Sequence, residues 1–241
     1  MKEGTMANEI KAIVFDTFGT VVDWRGSIIN DLSAWGKAQG LEVDWAAVVD
    51  KWRDRYNPQK ARVRTGELPW TNLDELHFDS LKSVFTEMGI QELEHDKMMH
   101  INKVWHRLEG WPDASKGLHR LKTKFIIGPL SNANVAILVN MAKHADLPWD
   151  NVFSCELFKH YKPDPETYLG VCKLLYLEPS EVMMCAAHNY DLAAARKLGL
   201  KTAFIARPTE LGPGQTVDLH AEQDWELVAD DLEDLATQLG C

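Results

Sequence analysis

Brief apolar runs and longer amphipathic stretches alternate along most of the chain, and the two patterns predict different elements. The brief runs suit strands buried on both faces, and they fall at residues 12–15, 125–127, 152–154, 182–186 and 202–206. Helical patterns separate the later runs. Residues 114–121, 135–145, 166–175 and 192–198 each place apolar side chains on one face, several opening at Asp, Asn or Pro and closing near Gly. A last strand at 226–228, at the sheet edge, precedes a closing helix at 230–239. Strands alternating with helices predict an α/β fold built on a doubly wound, Rossmann-like parallel sheet.

The pattern changes between Trp24 and Trp111. Long amphipathic stretches at 28–39, 45–56, 72–88 and 96–108, with few β-branched runs, predict a helical cap inserted directly after the first strand. The expected division is a core of 9–24 and 111–241 with a cap of 25–110. Such an insertion leaves and rejoins the sheet beside its first strand end, where it can act as a lid that excludes water. Trp24, Trp35, Trp45, Trp52, Trp70, Trp105 and Trp111 lie in it or at its borders, and the packing of a helical bundle accounts for most of them.

Composition narrows the partners. The 241 residues are 45% hydrophobic, enough for a full α/β core, and a formal charge of -10 argues against nucleic acid or an anionic membrane surface. No apolar stretch approaches the roughly 20 residues of a membrane span. Cys155, Cys172, Cys185 and Cys241 lack paired metal-ligand spacing, and no secretory leader precedes the first strand, so a reduced, cytoplasmic protein is expected. The polar start, Met1 to Asn8, is expected to be a disordered tail or an expression remnant.

Candidate chemistry gathers at the predicted strand ends. Asp16 closes the first apolar run and leads into Thr17-Phe18-Gly19-Thr20, so its carboxylate faces the crevice at the carboxyl edge of the sheet. Two places later stands Phe18, which cannot donate a proton. A carboxylate nucleophile acts alone on a carbon bearing a good leaving group, whereas expelling an alkoxide needs an acid beside it. Ser131-Asn132, Tyr161-Lys162-Pro163-Asp164-Pro165 and Ala186-Ala187-His188-Asn189-Tyr190-Asp191 each follow a later strand. Each alone has a bland reading: Ser131, Asn132 and Asp191 as helix caps, Lys162 as a solvated loop residue. Their common placement is the stronger signal.

In that order, the motifs Asp16 to Thr20, Ser131-Asn132, Lys162 and Asp191 resemble the haloacid dehalogenase superfamily over nearly the whole chain, the cap included. Phosphatase relatives carry a general-acid Asp at the place of Phe18 and a magnesium-ligating Asp at the place of Ala187; both are missing. The pattern instead resembles the metal-independent L-2-haloacid dehalogenases, which implies no cofactor and a small 2-haloacid as substrate. Well-known members carry Ser, Asn and Trp at the places of Ala186, His188 and Tyr190. His188 is therefore either a tolerated packing residue or a donor to leaving halide or a polariser of water.

The resemblance implies an ester formed on Asp16 and then hydrolysed, with short 2-haloalkanoates, fluoroacetate among them, giving 2-hydroxy acids. Arg53, Asn132 and His188 would receive the halide, with Arg55, Arg62 and Arg64 as competitors to Arg53. Ser131 and the backbone amides near Thr17 and Phe18 would hold the substrate carboxylate, and Tyr190 is counted with these binding residues. Lys162 would keep Asp16 charged, Asp191 with Lys162 would assist water, and Thr20 and Tyr168 would orient these groups. A phosphatase or phosphonate hydrolase using Asp16 and Asp191 stays open as an alternative, as does a binding protein on a retired enzyme scaffold. The aromatic cap is compatible with a homodimer and equally with a lid closing on the core.

Overall fold

The computed structural model describes residues 10–91 and 93–241, and the expected tail at 1–8 lies outside the described residues. Six strands among them, β1 (Ala12–Phe15), β2 (Ile126–Ser131), β3 (Phe153–Ser154), β4 (Val182–Ala186), β5 (Lys201–Ile205) and β6 (Leu227–Ala229), pair in parallel in the order β3-β2-β1-β4-β5-β6. The apolar run of β1 takes a central place because both its faces are covered. Ile13 and Phe15 join one buried cluster with Ile127, Leu118 and Leu235, while Ala12 and Val14 join another with Met184, Tyr168 and Leu192.

Helices α1 (Trp24–Ala38), α2 (Trp45–Asp54), α3 (Tyr56–Arg64), α4 (Leu73–Glu87) and α5 (His95–Asn102) intervene between β1 and the rest of the sheet. Helices α6 (Ala114–Lys122), α7 (Val135–His144), α8 (Pro165–Leu175), α9 (Asn189–Lys197) and α10 (Leu232–Gln238) complete the α/β layers. The chain leaves and returns through a narrow neck, where Val22 forms an antiparallel bridge with Gly110 and the Trp111 N–H donates to the Val21 carbonyl at 3.0 Å. Above it, Trp105 packs against Trp24, Trp52 and Phe18 with ring centroids 6.2, 5.5 and 5.1 Å apart. The intervening helices thus share one apolar cluster with the sheet, continuous from Phe15 through Phe18 to Trp52.

Two elements differ from expectation. The stretch 45–56, expected as one helix, ends at Asp54, and the chain turns into α3, which the pattern does not show. Pro58 obscures α3 in the sequence, yet it occupies the first helical turn, where a missing N–H costs no intrahelical bond. The second apolar run continues through Gly128-Pro129 to Ser131, because β3 pairs only with Leu130 and Ser131 and Pro129 stands before that ladder begins. Cys155, Cys172, Cys185 and Cys241 are unpaired, and no helix among the described residues is long and apolar enough to cross a membrane.

Candidate active site

Strand order reverses between β1 and β4, so the loops leaving their carboxyl ends diverge and open a crevice. Asp16 emerges there directly from β1, its N–H still bonded to the Cys185 carbonyl of β4 at 2.9 Å. It is 8% exposed, so little of its surface meets solvent. Lys162 Nζ donates to Oδ1 at 2.8 Å, the Thr20 hydroxyl donates to Oδ2 at 3.0 Å, and His188 Nδ1 lies 3.0 Å from the same Oδ2. Thr20 in turn accepts the Ala187 N–H at 2.9 Å, tying the β1 loop to the β4 loop. Burial alone would push the Asp16 carboxyl up; Lys162 and His188 outweigh it and hold the group well below the usual carboxylate range.

Lys162 is anchored from behind. Its backbone N–H donates to Asn132 Oδ1 at 2.8 Å, and its ammonium also pairs with Asp191 Oδ2. The other Asp191 oxygen accepts the Tyr168 hydroxyl at 2.5 Å, so this carboxylate is fully buried with both oxygens occupied. Burial opposes the Lys162 charge, but the two aspartates raise its pKa well above the ordinary lysine value. Tyr168, expected to orient these groups and also counted among the binding residues, is wholly buried, and its hydroxyl donates to Asp191 rather than reaching the crevice. Ser131 ends β2 and accepts the Ala133 N–H at 3.3 Å, while the Asn132 amide donates to the Tyr56 hydroxyl at 3.1 Å. Thr17 is buried with an unpartnered hydroxyl, and Phe18 packs beside Trp105 and Tyr56.

The helices between β1 and β2 carry cations near this anionic centre. Arg53 leans over the rings of Tyr56 and Trp24, its guanidinium carbon 4.1 and 4.8 Å from their centroids, with one buried nitrogen unpartnered. Its competitors face elsewhere: Arg55 pairs with Glu87, Arg62 with Glu67 and Arg64 with Asp164. Lys60, one helical turn beyond Tyr56, places Nζ 4.1 Å from that ring and is 5% exposed, with no ion pair among the described residues. Burial and the like charges of Arg53 and Lys162 push its pKa down to about 7.

His188 is the residue most changed by tertiary context. Its Nε2 lies 3.1 and 2.9 Å from the two oxygens of Glu210, which also accepts Trp24 Nε1 at 3.0 Å. Burial disfavours the charged ring, yet Glu210 and Asp16 together push it up to about 10, so the resting group is an imidazolium between two carboxylates. A cleft of about 280 Å³ opens beside it, lined by Arg53, His188, Tyr190 and Glu210. Tyr190 is half-exposed there, its ring stacked 5.8 Å from that of His188. A divalent ion fits this donor set poorly: the Asp16 oxygens already meet two cations, and position 187 is an alanine.

Neither Lys60 nor Glu210 is evident from the sequence. Lys60 lies in the helix that Pro58 obscures, and Glu210 shares only its position after a strand with the other site residues.

A family model described as haloacid dehalogenase-like hydrolase matches residues 10–199. The chain is 29% identical over 210 residues to the (S)-2-haloacid dehalogenase 4A of Burkholderia cepacia, covering 84% of this chain and 85% of that protein. A solved L-2-haloacid dehalogenase superposes with a TM-score of 0.93 at 52% identity, covering 95% of this chain and 98% of the other. A defluorinating L-2-haloacid dehalogenase gives the same TM-score of 0.93 at 44% identity, with 96% of each chain covered. Likeness of this degree over nearly the full length leaves one placement: the chain belongs to the haloacid dehalogenase-like hydrolases, on their L-2-haloacid dehalogenase branch.

Proposed function

We propose that this protein hydrolyses short 2-haloalkanoic acids, fluorinated ones included, to 2-hydroxy acids through an ester on Asp16. The observation that carries the reading is an ionised carboxylate at the switch point, held by Lys162, Thr20 and His188, beside Phe18, with Arg53 and Lys60 on the neighbouring Tyr56 ring and neither in an ion pair among the described residues. Asp16 displaces halide from carbon without an acid for the leaving group, since halide leaves as a stable anion. Arg53 receives that halide, and its unpartnered nitrogen is the donor available to it. The defluorinating relative supports including fluoride among the leaving groups.

The ester is tested by one turnover of 2-chloropropionate in ¹⁸O-labelled water with enzyme in excess, followed by mass analysis of the Asp16 peptide. Label enters the Asp16 carboxylate if water opens an ester there; label confined to the 2-hydroxy acid would mean direct attack by water on carbon.

Lys60 is assigned to the substrate carboxylate, because a buried ammonium with no ion pair among the described residues is a costly arrangement that an anion relieves. The charged and titratable groups around it are Arg53, Lys162, Cys155, Asp16 and Tyr56. Its free-enzyme pKa of about 7 sets the sign: the ammonium form binds, so KM for the haloacid rises as pH increases through about 7 while kcat stays level. Lys60→Met is expected to raise KM by about 10-fold or more, the cost of one charge-assisted hydrogen bond, and to remove that pH dependence. An unchanged KM profile in the variant would reassign the carboxylate site.

A further inference from the structure

We propose that His188 is the base that activates the hydrolytic water, and that Glu210 is the positioning residue that holds its ring in the required orientation. This rests on the ester reading above and concerns its second half. The ring nitrogen at 3.0 Å from Asp16 Oδ2 sits against the carboxyl group whose carbon the water must attack. The far nitrogen faces both oxygens of Glu210, so a ring that keeps its proton on Nε2 presents the Nδ1 lone pair on the side of the Asp16 carboxyl group.

Room for Glu210 is built into the first motif loop. Gly19 has φ +90°, and a Cβ on it would stand 2.1 Å from a Glu210 oxygen. Trp24 then fixes that carboxylate from the cap side, and Glu210 is 2% exposed. The rival base fares poorly. Asp191 is fully buried, and each of its oxygens already accepts a hydrogen bond, one from Lys162 and one from Tyr168. Lys162 is an ammonium with raised pKa and cannot accept a proton.

The base comes into being during the reaction. At rest the imidazolium balances Asp16 and Glu210; Tyr190 stacks on it, and Arg53, Asp23 and Trp24 face Glu210. When Asp16 bonds to the substrate carbon and halide departs, the carboxylate becomes a neutral ester and one of the two charges holding the ring proton is gone. The ring then releases its Nδ1 proton to the adjoining cleft, which accounts for the single proton produced per turnover. Water attacks the ester carbonyl carbon while Nδ1 takes one of its protons. Collapse of the adduct breaks the bond between that carbon and the alkoxy oxygen, and the departing alkoxide takes the remaining acid proton from Asp16. This regenerates the Asp16 carboxylate, the imidazolium and a free 2-hydroxy acid.

The test follows 2-bromopropionate turnover in wild type, His188→Gln and Glu210→Gln by rapid acid quench, bromide release and mass analysis of the Asp16 peptide. In His188→Gln, bromide should appear in a burst of one per active site with the peptide carrying the propionate ester. Steady turnover then falls by about 10²–10⁴-fold, the usual share of a general base. In Glu210→Gln the acid limb of kcat should move to lower pH, since the carboxylate that raises the ring pKa is gone, and Glu210→Asp should restore part of the rate. A purely structural glutamate would leave that limb in place. Undiminished kcat in His188→Gln, loss of turnover without accumulated ester, or an unmoved limb in Glu210→Gln overturns the inference. Should His188→Gln not fold, the limb in Glu210→Gln decides. Absence of ¹⁸O in the wild-type Asp16 peptide would instead sink the ester itself, so the two failures are distinct.

Discussion

Asp16→Asn is expected to reduce halide release from 2-chloropropionate by on the order of 10⁴-fold or more, as for loss of other covalent nucleophiles. The amide has the shape of the carboxylate without its negative oxygen, and attack on carbon requires that oxygen. Folding should survive the change. Lys162 keeps Asp191 as its ionic partner and His188 keeps Glu210, so neither cation is stranded in the interior. Steady-state halide release and a thermal melt measure the two quantities. Residual turnover above about one hundredth of wild type, with the substitution verified intact by mass, would exceed what a site lacking its nucleophile retains.

Lys162→Met is expected to damage activity and stability together, for separable reasons. Without the ammonium, burial acts on Asp16 with only His188 to oppose it, so the Asp16 pKa rises and the acid limb of activity moves toward neutrality. The depressed Asp16 pKa stabilises the wild-type fold fully above the unfolded value of about 3.9, and that contribution is lost as pH falls below it. The variant should show less of this acid-dependent stability. The larger effect falls on Asp191, which becomes a buried carboxylate without a counter-charge, at a cost of roughly 3–5 kcal/mol. For a chain of this size that is a drop of about 10 °C in Tm. Adding Asp191→Asn should recover most of the lost stability and none of the activity, a coupling read from a double-mutant cycle. Additive melting shifts in the two single variants would contradict the pairing.

Nucleophile and serine-asparagine pair were legible because they sit at strand ends, with Lys162 in the loop that follows β3, and a doubly wound sheet brings strand ends to one edge. The choice of Arg53 over Arg55, Arg62 and Arg64 was not legible. All lie within twelve residues across α2, α3 and the turn between them, and only packing against Trp24 and Tyr56 turns one of them inward while acidic residues take the others. For Tyr168 the tertiary structure adds the direction of the side chain, which lies beneath the site and meets Asp191.

Apolar periodicity along the chain determined the strand centres, the layer class and the point where a helical segment interrupts the sheet, because burial on one or both faces follows the spacing of neighbours in sequence. Tertiary structure alone decided that Glu210 meets His188, and that Lys60 is buried with no ion pair among the described residues. Those facts arise from contacts such as the 22 residues separating His188 from Glu210 and the 186 separating Trp24 from Glu210. Charge state follows from such contacts: a ring between two carboxylates becomes a cation and an ammonium among cations tends to lose its proton, and no local pattern encodes which charges will meet.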